Sequence, residues 1–371
     1  KLALIWQGHK GEVKKYTFND MRILTNSIAG YMKKLGITPG ERVCLFMDKV
    51  PELYLGFLAG LKLGAIVQPL FSAFGSESLI TRLEDAKTSA IITQKKHLPK
   101  VRNIMKDMDY MKYVIVVDET DPSHLKEREY ILDIENMEML DKFDVYPSTA
   151  ETPSVLHYTS GTTGKPKGAQ HVHYSIISQY ITSKYSLDLK EQDIYWCTAD
   201  PGWVTGTSYG IIGPWANGVT QCVMDAGFTA ENWYSFIERH RVTVWYSAPT
   251  AIRALMKEGE AAIKKHDLSS LRYLASIGEP LNAEAVIWSE KVFGMKFHDT
   301  YWQTETGSMV VSNYPCMKVK PGSMGKPFPG MEVGLVDIKT HKFFDKKGVV
   351  GVIAVRPGWP AMFRAYWNNP D

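Results

Sequence analysis

Tyr158-Thr-Ser-Gly-Thr-Thr-Gly-Lys-Pro-Lys-Gly168 is the stretch on which the reading of this sequence turns. It holds the hydroxyls of Thr159, Ser160, Thr162 and Thr163, the glycines Gly161, Gly164 and Gly168, and the lysines Lys165 and Lys167. Glycines let backbone N–H groups approach a ligand, hydroxyls donate hydrogen bonds and lysines bring charge. That set suits a polyphosphate. The run Ser154–Tyr158 before it predicts a strand, and Val172–Tyr185 after it predicts a helix, the strand–loop–helix setting of a phosphate site. The loop is not a Walker A sequence. Only Thr162 and Thr163 separate Gly161 from Gly164, where four residues are needed, and Pro166 follows Lys165. The spacing counts against a P-loop kinase, and composition alone leaves a plain surface loop open.

Working outward, both flanks alternate strand and helix patterns. Thr17-Phe-Asn-Asp20 reads as a capping box opening a helix that stops at Gly36, and Pro51 opens another that ends near Gly64. Strands are predicted at 42–47, 65–70, 90–93 and 113–117, then at 193–198, 219–223, 242–247, 273–276 and 296–300. Helices are predicted between them, for example at 249–257 and 282–293. This is the order of mostly parallel, helix-covered sheets. Residues 120–150 read as a polar connection with one weak strand, and after Pro321 short strands at 331–336 and 349–355 replace the alternation. The expected fold is α/β: two doubly wound α/β subdomains plus a small β-barrel-like subdomain. The expected divisions are 1–150, 151–325 carrying the ligand sites, and 326–371 as the start of the β subdomain. No short-period repeat or low-complexity tract is present.

Bulk properties exclude several classes. The 43 basic and 40 acidic residues nearly balance, and no dense Lys/Arg block gives a nucleic-acid footprint. The longest apolar run, Leu53–Leu61, is far short of the ~20 residues of a membrane span. No secretory signal peptide opens the sequence as given. Cys44, Cys197, Cys222 and Cys316 form no Cys-x-x-Cys pair, which speaks against zinc and fits a reducing cytoplasm. His171 and His173 lack an evident third metal ligand nearby.

Three further segments stand in order around the loop: Asp200-Pro-Gly-Trp-Val-Thr-Gly-Thr-Ser-Tyr209, Ile277-Gly-Glu-Pro280 and Asp299-Thr-Tyr-Trp-Gln-Thr-Glu-Thr-Gly307. Each by itself reads as an ordinary strand end. Together with Tyr158–Gly168 they resemble the acyl-adenylate-forming enzymes, which comprise acyl-CoA synthetases, luciferases and nonribosomal-peptide adenylation domains. With Trp196-Cys-Thr-Ala199 and Tyr246-Ser-Ala-Pro-Thr-Ala-Ile-Arg-Ala-Leu-Met256, the resemblance is to the acetyl-CoA synthetase branch. It runs over nearly all 371 residues and is strongest from 154 to 325.

The resemblance implies an AMP-forming ligase that uses ATP, Mg²⁺ and coenzyme A. A carboxylate attacks the α-phosphorus of MgATP to give acyl-AMP and pyrophosphate, and the CoA thiol then displaces AMP. Both steps are reversible, so either net direction is compatible. It places Thr159, Ser160, Gly161, Thr162, Thr163, Gly164 and Lys167 on the phosphates, with Lys165 solvated. It places Gly278, Glu279, Pro280, Asp299, Thr300, Tyr301, Trp302, Gln303 and Thr304 around AMP. Glu305 holds Mg²⁺, a role that suits a carboxylate beside phosphate oxygens. Thr229 falls where relatives meet CoA. Trp203, Val204, Thr205, Ile277 and Trp302 form the acyl pocket, and Trp302 stands where longer-chain enzymes carry glycine. Acetate is therefore the leading substrate. The alternatives are propionate or another small acid, or a non-catalytic nucleotide- or acyl-AMP-binding domain. Two positions depart from the common pattern: Tyr301, where the branch often has tryptophan, and Ile277, where valine is common. Relatives continue with a ribose-binding aspartate, a hinge and a mobile domain that bears the catalytic lysine. None of those motifs follows Trp367, so no catalytic residue is assigned in this chain.

Overall fold

A computed structural model describes residues 1–159, 164–346 and 348–369. Among these residues two large sheets form. The nine-stranded sheet runs, in spatial order, Lys326–Pro327, Val311–Ser312, Phe297–Tyr301, Tyr273–Ser276, Val244–Ser247, Ile194–Cys197, Thr220–Met224, Leu2–Gln7 and Val13–Thr17. Its interior, from Phe297–Tyr301 to Leu2–Gln7, is parallel, and both edges are antiparallel. The eight-stranded sheet runs Ala365–Tyr366, Lys167–Val172, Pro153–Thr159, Ile66–Pro69, Arg42–Phe46, Ala90–Thr93, Tyr113–Val116 and Glu129–Ile131. Val333–Val336 and Val352–Val355 pair as a two-stranded ribbon. The β-rich tail thus supplies this ribbon and edge strands to both sheets.

Local chemistry explains the element ends. Thr17 Oγ1 accepts the Asp20 N–H at 3.1 Å while Asp20 accepts the Thr17 N–H at 2.8 Å, closing the expected capping box of helix Phe18–Leu35. Gly36, at φ 101°, terminates it in a left-handed conformation that glycine takes without a Cβ penalty. Pro51 starts helix Pro51–Leu63, where its missing N–H leaves no bond unmade. The buried parallel strands are short apolar runs covered by helices on both faces. Trp196 and Trp245, for example, pack under the nine-stranded sheet with Phe236 and Phe297.

One expectation is corrected. Val172–Tyr185 is not one helix. Lys167–Val172 is a strand paired antiparallel with Pro153–Thr159 (Tyr158 opposite Gly168, Thr159 opposite Lys167), and the helix is Ser175–Tyr185. The glycine–threonine loop therefore joins a hairpin, and no helix N-terminus follows it directly. Pairing with Ala365–Tyr366 from the far end of the chain supports that strand. Each large sheet draws strands from both sides of residue 150. Leu2–Gln7 pairs with Thr220–Met224 in the nine-stranded sheet, and Pro153–Val172 belongs to the other.

Strand Ile194–Cys197 lies between its successor Thr220–Met224 and the next strand, Val244–Ser247. The chain leaves it first to one side and then to the other. At such a switch point the loops beyond the carboxyl ends part and leave a crevice. Register aligns those ends, with Cys197 beside Tyr246, Ser247 beside Ser276 and Ser276 beside Asp299.

Candidate active site

The crevice is a cleft of about 590 Å³ at these carboxyl ends. Trp203, Val204 and Thr205 line it from beyond the first strand, Ile277, Gly278 and Glu279 from beyond Tyr273–Ser276, and Trp302, Gln303 and Thr304 from beyond Phe297–Tyr301. The three segments that are distant in sequence thus meet. Gly278, at φ 103°, makes the sharp exit from its strand. Gly206 lets the 204–207 helix lie against the preceding turn, since a Cβ there would come within 2.2 Å of the Asp200 carbonyl oxygen.

Trp302 forms the fixed wall. It is 6% exposed and packs edge-on against Tyr209, with ring centroids 5.1 Å apart. Its Nε1–H donates to Tyr246 Oη at 3.3 Å, Tyr246 pairs with Thr300 Oγ1 at 2.9 Å, and Thr300 Oγ1 donates to the Ser276 carbonyl at 2.8 Å. The hydrogen bonds run in one direction and leave no donor unmatched. Tyr209 is pinned in turn by the Met309 N–H at 2.7 Å and by Thr182. At the mouth stands Trp203, 45% exposed, in an aromatic cluster with Phe71 and Phe74. Tyr209, Tyr246, Phe71 and Phe74 were not singled out from the sequence as site residues. Isolated aromatics carry no signal of which wall they will support.

Several residues that the resemblance places at the ligands have protein partners of their own. Thr300 spends its hydroxyl on the strand next to it and, like Asp299 and Tyr301, does not line the cleft. Asp299 is buried, and burial pushes its carboxyl up to about 7 although the Leu281 and Thr300 N–H groups pull the other way. Glu279 turns its carboxylate to Thr250 and Arg253, which lower its pKa, Thr250 more strongly. Pro280 lies outside the cleft lining. Thr229 caps helix Ala230–His240 by accepting the Asn232 N–H at 3.1 Å and does not reach the cleft.

Next to the cleft-lining Tyr158, Thr159 closes the first hairpin strand and Lys167 opens the second. Gly164, at φ 94°, and Lys165 are exposed between them. Ser160, Gly161, Thr162 and Thr163 lie outside the described residues. A residue missed in the sequence links this region together. Tyr366 donates its hydroxyl to Glu305 Oε1 at 2.9 Å, while its ring lies 5.1 Å from Lys167 Nζ. The Phe363 N–H also holds the Glu305 backbone carbonyl at 2.9 Å. Among the described residues no Lys, Arg or His pairs with Glu305, and its only side-chain partner is a neutral hydroxyl. A half-exposed carboxylate of that kind fits a divalent cation with several waters. No cluster of three or more His, Cys, Asp or Glu with metal-site geometry occurs among the described residues, His171 and His173 included. No helix among them is long and apolar enough to cross a membrane. All four cysteines are free.

The chain resembles known proteins along its length. The AMP-binding enzyme family matches residues 1–367. An acetyl-coenzyme A synthetase of Bacillus subtilis (strain 168) is 44% identical, with all of this chain and 64% of that protein aligned. One of Gemmatimonas aurantiaca is 38% identical over all of this chain and 60% of its own length. The chain therefore spans less than two thirds of these relatives. The crystal structure of a Brucella canis acyl-CoA synthetase superposes with a TM-score of 0.90 at 28% identity, covering all of this chain and 67% of that one. With the family's pattern matched from end to end and its parallel sheets and switch-point cleft in place, the chain belongs to the AMP-binding enzyme family.

Proposed function

We propose that the full-length protein is a cytoplasmic AMP-forming acetate–CoA ligase, with ATP, a short carboxylate and coenzyme A as its small-molecule substrates. The observation that carries this reading is the Trp302 wall, fixed by Tyr209 and the Tyr246–Thr300 chain, at the end of a cleft also lined by Val204, Thr205 and Ile277. A buried indole covers ~150–250 Å², enough to stop an alkyl chain beyond a few carbons. The names of the Bacillus and Gemmatimonas relatives support the same acid.

A carboxylate is a poor electrophile, so thioester formation begins by activation. The acid's oxygen attacks the α-phosphorus of ATP, and pyrophosphate leaves. The CoA sulfur then forms its bond to the acyl carbon as the bond to AMP breaks. Positioning and charge stabilisation supply most of the rate, and no protein nucleophile is required. Thr159, Gly164 and Lys167, with the loop between them, orient the β- and γ-phosphates. The Gly278–Pro280 turn and Gln303–Thr304 flank the nucleotide. Glu305 would hold Mg²⁺, which supplies neutralising charge at the phosphate oxygens. Tyr366 holds the Glu305 carboxylate through its hydroxyl and the Lys167 ammonium over its ring face.

The test is acid-dependent AMP formation by the full-length protein with C2–C8 acids and benzoate. Acetate should give the highest kcat/KM, followed by propionate, because a pocket separates neighbouring homologues by only ~1–3 kcal/mol per methylene. No AMP with any acid, or a maximum at C4 or beyond, would sink the proposal.

A further inference from the structure

Helix Ser76–Ala86 follows the stretch that carries Phe71 and Phe74, and it packs against the hairpin that bears the glycine–threonine loop. Two of its side chains, one turn apart, reach Tyr158. Asp85 Oδ2 accepts the Tyr158 hydroxyl at 2.6 Å. The Arg82 guanidinium lies 5.9 Å from the centre of the Tyr158 ring and 4.4 Å from that of Phe74, distances at which a cation is drawn to an aromatic face. Phe74 in turn meets Trp203 edge-on, with ring centroids 5.9 Å apart. One run of contacts therefore ties the mouth of the cleft to the strand that leads into the loop.

The surroundings of Tyr158 make that bond decisive for where its ring sits. Tyr158 is buried and lines the cleft. It stands opposite Gly168 in the hairpin, where a Cβ would come within 3.1 Å of Tyr158 Cζ and 3.2 Å of Trp367 Cβ. The missing side chain lets the ring lie over the neighbouring strand. Burial, and after it the Asp85 carboxylate, holds the hydroxyl protonated far above the ordinary tyrosine range, so it remains a donor. A buried donor left without its acceptor is costly, so the ring stays where the hydroxyl can reach Asp85.

Asp85 also holds the strand on the far side of the hairpin. Its carbonyl is one of the last four of the helix, which have no partner within it, and Asn368 Nδ2 donates to it at 2.8 Å. Asn368 follows closely on Ala365–Tyr366, the strand that flanks Lys167–Val172 opposite Pro153–Thr159. One residue thus meets both neighbours of Lys167–Val172, the strands from which Thr159 and Tyr366 project. We propose that Asp85 is a positioning residue for the phosphates of the nucleotide, acting through the Tyr158 hydroxyl to set the base of the glycine–threonine loop. The inference rests on the adenylating role proposed above.

The test uses the full-length protein, with MgATP affinity read by titration calorimetry in the absence of any acid. Tyr158→Phe keeps the ring and removes the donor, and Asp85→Ala removes the acceptor. Each should weaken MgATP binding about tenfold, and the double variant no further, because both remove the same bond. The KM for acetate at saturating ATP should stay at the parent's value, which a general loosening of the fold would not leave unchanged. Circular dichroism checks folding, and Tyr158→Phe decides the matter if Asp85→Ala does not fold. Parental MgATP affinity in folded Tyr158→Phe would overturn the proposal, as would additive losses or an equal rise in the acetate KM. If the parent forms AMP with acetate while the folded variants bind MgATP as it does, the positioning role fails and the ligase reading stands. If the parent binds MgATP but forms no AMP, the ligase reading fails, and the variants' MgATP affinities still decide the role of Asp85.

Discussion

In the region we propose for the acyl group the Trp302 N–H already has a partner in Tyr246, and its ring is locked by Tyr209. In the region we propose for the phosphates Glu305 has one neutral hydrogen bond from Tyr366, and Lys167 lies over an aromatic face instead of a carboxylate. The difference matches the roles we propose for the two regions. A wall that measures chain length has to be rigid before the acid arrives, because a mobile indole would admit longer acids. Groups that receive phosphate and a cation must keep their charge uncommitted, since a strong internal ion pair would have to be broken on binding.

The contrast between the two regions breaks most visibly at Trp302. Trp302→Gly should raise kcat/KM for C4–C6 acids relative to acetate, and the emptied volume should cost about 3–5 kcal/mol of stability. An unchanged acid preference in the full-length enzyme would mean that the wall lies elsewhere. The phosphate region should respond differently. Glu305→Gln should slow adenylation about 100-fold or more, equivalent to ~3 kcal/mol, with little change in thermal unfolding. Pyrophosphate exchange and a melting curve on the same sample separate the two effects.

Asp299, buried behind the wall, gives a pH signature. Its folded pKa, about 7, lies above the ordinary 3.8. The folded state therefore binds more protons between those values, and stability falls as pH rises through that window. The contribution is full below pH 3.8 and lost by about 7, with a slope of at most about 1.4 kcal/mol per pH unit. Asp299→Asn should flatten this dependence, so its urea midpoint relative to the parent should rise from pH 5 to pH 8. Parallel curves for the two proteins would show that Asp299 does not titrate there. The smallest effect is expected at Tyr366→Phe, where the loss of one hydrogen bond to a carboxylate should raise the Mg²⁺ concentration for half-maximal activity a few-fold. An unchanged Mg²⁺ requirement would detach Tyr366 from the metal end.

Much of the scaffold was legible because its signals are local. The capping box at Thr17 and Asp20, the glycine stops at Gly36 and Gly64 and the apolar strands Ala90–Thr93 and Tyr273–Ser276 depend on neighbours within a few residues. The site was legible as motifs, and the segments around Trp203, Ile277 and Trp302 do meet in one cleft. Thr300 donates its hydroxyl to the neighbouring strand and Thr229 caps a helix, directions that sequence does not give for a strand-end or cap side chain.

By itself, then, the sequence determined the alternation of elements, the order of the motifs and the residue types available for chemistry, since these rest on short-range sterics and side-chain identity. Only the tertiary structure decided that Lys167–Val172 is a strand, that Leu2–Gln7 joins the sheet of residues 194–301, and that Tyr366 stands between Glu305 and Lys167. The last two depend on partners distant along the chain, and the first on pairing with Pro153–Thr159 across the loop. Strand pairing satisfies backbone groups that the local sequence leaves open, and here Lys167–Val172 pairs with Pro153–Thr159 on one side and with Ala365–Tyr366 on the other.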